Sequence, residues 1–234
     1  MAMMQLIGIH GIPEIHPGDD LATVIAEHAA GVEPGDVVVV TQKIVSKAEG
    51  RLVAIDPDDS AAAQRRLVDR ESVRILRQRG ELTMTETRHG FVCANAGIDL
   101  SNVERGLAAL LPVDADRSAR RIRDGLRGRL GITVGVIVSD TFGRTWRRGV
   151  TDVAIGSAGV AAVVDLRGTT DALGRELAVT EVCVADEIAG AAELVMGKAL
   201  AVPVAIVRGV DPSWLRESSV HDEIVRPYHE DLFR

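Results

Sequence analysis

The chain reads as an α+β protein, one compact mixed unit, and three observations carry that reading. Short β-branched runs such as Val37-Val38-Val39-Val40 and Val136-Ile137-Val138 are bounded by glycine and proline turns, as buried strands are. Amphipathic helical stretches lie between them. There is no repeat and no low-complexity linker, so residues 60 to 100 are the only candidate for a small second lobe.

Taken in order, Gln5 to His10 is a short apolar strand, broken by Gly11-Ile12-Pro13-Glu14 into a loop. Pro17-Gly18-Asp19-Asp20 supplies a turn and an N-cap for a helix of about ten residues through Ala30. Pro34-Gly35-Asp36 leads into the Val37–Val40 strand, followed by Thr41, Gln42, Lys43, Ser46 and Lys47. Those lysines and hydroxyls suit phosphate and equally suit a polar surface, since neither a P-loop nor a dinucleotide glycine fingerprint is present. Residues 60 to 79 are predicted as one amphipathic helix, with Leu67, Val73, Ile75 and Leu76 on its apolar side. The alternating run Leu82 to Arg88 predicts a strand, His89-Gly90 a turn, and Phe91 to Ala94 a further strand. Residues 95 to 102 form a polar loop around the carboxylate of Asp99. A helix is expected from Asp116 to Leu130, capped near Asp116 or Ser118 and stopped at Gly131. Gly156 to Val160 is a small-residue stretch permitting close backbone approach. Arg175 to Ile188 alternates and turns helical through Val195, with Gly197 ending the helix. Val202 to Val207 is the last strand, its Pro203 at a strand start or edge.

The stretch with the most chemistry is Ile132 to Gly156. A buried strand is followed by Ser139, Asp140 and Thr141, then by Gly143 and arginines at 144, 147 and 148. A carboxylate and hydroxyl at a strand end suit a hard divalent cation, and guanidinium groups beside it suit phosphate or carboxylate oxygens. The same pattern also describes a strand with a polar turn and a solvated basic edge.

Composition narrows the partners. The 234 residues carry 27 basic and 34 acidic side chains for a net charge of −7, against the basic excess of nucleic-acid binders. Apolar residues make up 46% but aromatics only 3%, so the core must be aliphatic. Cys93 and Cys183 sit in apolar runs and read as core residues of a reduced, cytoplasmic protein. The opening MAMMQLIGIHGIP lacks the features of a signal peptide, and no apolar run is long enough for a membrane span.

With Gly11-Ile12-Pro13-Glu14, TQKIVSKAEGRLV, TRHGFVCANAGIDLSNV, SDTFGRTWRRGVTDVAIG, VTEVCVADEIA and ELVMGKALAVPVAIVRG in one order, the chain resembles the coenzyme F-420-0:L-glutamate ligases from residue 6 to 209. The resemblance implies a GTP-dependent ligase joining L-glutamate, one or more with later ones γ-linked, to a deazaflavin precursor through an acyl phosphate. It implies Mg²⁺ or Mn²⁺, a monovalent cation such as K⁺ as an accessory, and an intertwined homodimer. Asp99 and Asp140 match metal carboxylates and Thr141 the ligand of a second metal. Ile12, Pro13, Glu14, Ile15, Lys47 and Asn102 match nucleotide contacts. Gln42 stands where relatives often carry serine, and its amide can still bond guanine or ribose. Lys198 stands where some members carry a metal-binding glutamine and is not counted as a ligand. Arg144 and Arg147 are the catalytic candidates that would balance anionic substrates. A flavin-dependent reductase-like C-terminal domain, present in some relatives, is not expected. Two rival classes remain: another metal-dependent enzyme, such as a phosphohydrolase or nucleotide kinase, that would also use Asp99 and Asp140, and a non-catalytic dimeric module built on residues 154 to 163.

Overall fold

The computed structural model describes residues 3–101 and 104–233. In chain order the strands are β1 Gln5–Ile9, β2 Val37–Thr41, β3 Leu52–Ala54, β4 Ser72–Arg79, β5 Leu82–Thr87, β6 Val92–Ala94, β7 Leu107–Ala109, β8 Gly135–Gly143, β9 Val150–Ala158, β10 Val164–Asp165, β11 Glu181–Val182 and β12 Val204–Arg208. The helices are α1 Leu21–His28, α2 Gln42–Ala48, α3 Ser60–Glu71, α4 Ala115–Leu130, α5 Val184–Met196 and α6 Val220–Glu223. The α+β class stands.

The central sheet runs β1-β12-β2-β8-β9. Among the described residues only β2 and β8 are parallel neighbours, with Thr41 opposite Ser139 at their carboxyl ends. Val38, Val40, Val136 and Val138 bury one face against α1 and α4, together with Ile25, Ile122 and Leu126. Val37, Val39 and Ile137 bury the other against α5, through Ile188, Ala189 and Met196. Strands covered on both sides must be apolar at every position, which is why the valine run is continuous rather than alternating. A third cluster, with Leu67, Val68, Ile98 and Leu110, lies outside this sheet. The β4-β5-β6 sheet is separate from it as well.

Three local expectations are corrected. The helix expected over 60 to 79 ends at Glu71, and Ser72–Arg79 is a strand paired with β5. The Ser72 hydroxyl donates to the Val68 carbonyl, closing the helix, and β-branched Val73 and Ile75 then favour the extended chain. The cap of α4 is Asp114, which accepts from the Arg117 N–H; Asp116 is instead buried and accepts from the N–H groups of Ser157, Val220 and His221. Ser139 to Gly143 continues β8 rather than forming a turn, because β9 pairs with it along its whole length.

The small-residue stretch is used within the chain. A Cβ on Gly156 would lie 2.3 Å from the backbone of Ala115, so glycine is what lets α4 lie against β9. Ala158, Val160 and Ala162 are fully buried, so residues 154 to 163 are not a free dimer surface.

Candidate functional site

The carboxyl ends of β2 and β8 open on a cleft of about 390 Å³, within the usual range for small-molecule sites. Ligands in open α/β sheets characteristically bind beyond the carboxyl ends of parallel strands. One wall is the loop Ile12 to Ile15, another α2 with Gln42, Lys43 and Lys47, and a third the end of β8 with Ser139, Asp140 and Thr141. Asp152, Glu193 and Lys198 complete it. Ile12, Pro13, Glu14, Ile15, Gln42, Lys47, Asp140 and Thr141 are therefore gathered around one space. Asn102 lies outside the described residues.

The alternation of β8 sorts its end into two charged groups. Asp140 falls on the same side as Val136 and Val138, toward α2; Ser139 and Thr141 fall on the side of Ile137, toward α5. On the first side Lys43 Nζ lies 2.5 Å from Asp99 Oδ2. Asp99 is held in place by its bridge to β7 at Ala109, and its Oδ1 accepts from the Ser101 N–H at 2.6 Å. Burial works against ionisation of Asp99. The hydrogen bonds from Lys43 and Ser101 outweigh it and hold the carboxyl below its ordinary value. Asp140 is the opposite case: burial first, and then the charges of Asp99 and Asp152, push its carboxyl up to about 7 against the pull of the Thr141 N–H and Lys43.

That imbalance bears on a metal ion. The donors are hard carboxylate oxygens, and ionising Asp140 adds a negative charge that Lys43 only partly offsets. The oxygens of Asp99 and Asp140 have the chemistry a divalent cation would take. Asp99 is not among the residues lining the cleft, however, and among the described residues no group of three or more His, Cys, Asp or Glu that could hold a metal occurs. On the second side of β8 the oxygens are already engaged. Asp152, 2% exposed, accepts from the Ser139 hydroxyl at 3.0 Å and the Thr141 hydroxyl at 2.5 Å. Lys198 Nζ bonds to Thr141 Oγ1, lies 3.1 Å from Asp152 Oδ1 and 3.3 Å from Glu193 Oε1.

In the nucleotide-contact group, Lys47 Nζ pairs with Glu14 Oε1 at 2.5 Å, tying α2 to the first loop. Gln42 is buried, its Nε2 donating to Ser46 Oγ at 2.6 Å and to the Leu110 carbonyl at 3.0 Å. Its Oε1 has no partner among the described residues. Arg144 and Arg147 sit on the exposed connection from β8 to β9, outside the cleft lining. One guanidinium nitrogen of Arg144 donates to the Arg148 carbonyl. Among the described residues the cations that line the cleft are all lysines: 43, 47 and 198.

The sequence gives Asp152 no role and Lys43 only a general suitability for phosphate or for a polar surface. For Asp152 a signal existed: a lone carboxylate within the otherwise apolar-rich Val150 to Ile155 must find buried partners. For Lys43 there was none beyond its place after the strand, because its partner comes from a distant loop.

Fold and site together define a mixed α/β protein with a carboxylate- and lysine-lined cleft at the end of the one parallel strand pair among the described residues. The chain belongs to the F420-0:gamma-glutamyl ligase family, which matches residues 10–209. It is 42% identical to a coenzyme F420:L-glutamate ligase of Methanothermobacter thermautotrophicus, over 99% of both chains. It is 44% identical to the ligase of the same name from Methanopyrus kandleri over the full length of both, and 39% to that of Archaeoglobus fulgidus over 99% of this chain and 96% of the relative.

Proposed function

We propose that this chain joins L-glutamate to the deazaflavin precursor F420-0 by a GTP-dependent route. What supports this above all is full-length similarity to glutamate ligases together with a cleft that gathers Asp140, Lys43 and the Ile12 to Ile15 loop. An amide does not form from a free carboxylate, because the oxygen leaves poorly. Transfer of the GTP γ-phosphoryl to the precursor's terminal carboxylate forms an acyl phosphate and releases GDP. The glutamate amine then attacks the acyl carbon, inorganic phosphate leaves, and the amine proton passes to water or phosphate.

All three substrates are anionic, and Lys43, Lys47 and Lys198 supply the cleft's positive charge on a protein of net charge −7. Arg144 and Arg147, continuing from the end of β8, would add charge at the rim. Glu14, Lys47, Gln42 and Asn102 would meet the nucleotide, with Gln42 Oε1 an acceptor for a ligand N–H or O–H. Asp99 and Asp140 would hold Mg²⁺ or Mn²⁺, whose charge neutralises phosphate oxygens during transfer.

The chain is also proposed to act as a homodimer with no stable folded monomer, in the cytoplasm. Val73 and Ile75 of β4 and Leu82 of β5 are exposed apolar side chains on the small sheet that a second copy would cover. Light scattering that gives a compact, active monomer would refute the dimer. No helix among the described residues is long and apolar enough to cross a membrane.

Mass spectrometry of the precursor after incubation with GTP, Mn²⁺ and glutamate tests the main reading. A mass gain of one or more glutamyl units is expected. GTP turnover without glutamate addition would favour a phosphohydrolase or kinase. GTP with Mg²⁺ should also raise the melting temperature more than ATP does, since a ligand at a hundred times its Kd adds about 2.7 kcal/mol.

A further inference from the structure

The two charged groups at the end of β8 face opposite sides of the sheet, and Lys43 and Asp140 of the first group line the same cleft as Asp152, Glu193 and Lys198 of the second. The first has two carboxylates, Asp99 and Asp140, sharing a single lysine. The second has the same charge count, two carboxylates to one lysine, and differs in how the lysine is held. Asp152 and Glu193 face Lys198, and the ammonium reaches three oxygens: Thr141 Oγ1, Asp152 Oδ1 and Glu193 Oε1. An ammonium has three N–H donors and no acceptor, so this set can satisfy it completely.

The geometry around Thr141 leaves little for a metal. Its hydroxyl proton goes to Asp152 and its oxygen receives Lys198. Asp152 is buried and would be costly without a cation, which Lys198 provides. The lysine is delivered to this place by the end of α5: Gly197, at φ 57°, terminates the helix and turns the next residue into the cleft.

We infer that Lys198 is a built-in cation filling the oxygen site of Thr141, Asp152 and Glu193, so that this chain takes one divalent ion where its family resemblance implies two. The inference deepens the proposed function, resting on Asp99 and Asp140 as the single metal site. A tethered ammonium needs no free ion to fill its place and presents a fixed positive charge to an oxyanion of the bound substrates. It is a point charge rather than a Lewis acid, and it brings no coordinated water.

Counting bound Mn²⁺ per chain, by the loss of the free-ion paramagnetic resonance signal and with no nucleotide present, tests this. The wild type should bind one ion, Lys198→Arg one, and Lys198→Gln two, the second being lost again in Lys198→Gln/Asp152→Asn. Lys198 is half exposed, so the substitutions at this position leave the core packing alone. Two ions in the wild type, or no ion gained in Lys198→Gln, would overturn the inference. A wild type that binds none while Lys198→Gln binds one would overturn the Asp99–Asp140 reading and leave Lys198 as the cation of its own site.

Discussion

Lys43 Nζ sits 2.5 Å from Asp99 Oδ2, and this ion pair joins the first turn of α2 to the loop that follows β6. It is partly buried on both sides, so it is screened less than a surface pair. Lys43 also lowers the cost of ionising Asp140, which burial and two neighbouring carboxylates raise. One lysine therefore serves two carboxylates.

Replacing it should be felt in both. Lys43→Met removes the positive charge and keeps much of the side-chain volume. Loss of one partner of a buried pair leaves the other charge unbalanced. Glutamate addition is expected to fall by on the order of tenfold to a hundredfold, with far-ultraviolet circular dichroism unchanged. Wild-type kcat/KM in this variant would show that Lys43 is dispensable.

The valine strands were legible because a strand covered on both faces has to be apolar throughout, and Val37 to Val40 could be little else. The junction at Ser72 was not legible. Leu67 and Val68 on a helix and Val73, Ile75 and Leu76 on a strand fall into one apparent helical pattern, and only the pairing with β5 separates them. In the site, Asp140 and Thr141 stood out as oxygen donors after a buried strand. Their division onto opposite faces follows from β8 continuing to Gly143, which depends on pairing with β9. Lys43, Asp152 and Lys198 acquire their meaning only from partners remote in sequence.

Asp116 makes a prediction about stability alone. Its carboxylate accepts from three backbone N–H groups, those of Ser157 and Val220 at 2.8 Å and of His221 at 3.1 Å, fastening the C-terminal segment to β9. Asp116→Ala would leave these donors unsatisfied, at about 1–3 kcal/mol for each that stays buried. The melting temperature should drop by several degrees or more, with nucleotide affinity of the folded fraction unchanged. A thermal melt within a degree of wild type would contradict the anchoring role.

Asp99 and Asp140 should behave as one unit. An asparagine keeps the shape but loses the charge, so each single substitution is expected to lower ligation by on the order of a hundredfold. If both serve one cation, the double variant should be little worse than either single one. Multiplicative losses in single-turnover measurements would mean that they act separately.

The raised pKa of Asp140 contributes a pH dependence to the stability of the metal-free protein. Its carboxyl titrates at about 7 when folded, against the ordinary 3.8. Between these values the folded chain binds the extra proton, so stability falls as pH rises. The contribution is fully present below about pH 4 and lost as pH passes through 7. Asp99 has the opposite sign: its depressed value gives stability above its ordinary titration range that is lost only in acid. At about 1.4 kcal/mol per unit, Asp140 is worth at most about 4 kcal/mol, and less to the extent that the cleft admits water. Metal-free wild type should therefore melt several degrees lower at pH 8 than at pH 5.5, whereas Asp140→Asn, which cannot ionise, should show a much flatter profile. Saturating Mg²⁺ should restore the wild type at pH 8 and do little for the variant. Parallel profiles for the two proteins without metal would mean that Asp140 ionises normally, and the uncompensated charge that suits it to a cation would be absent.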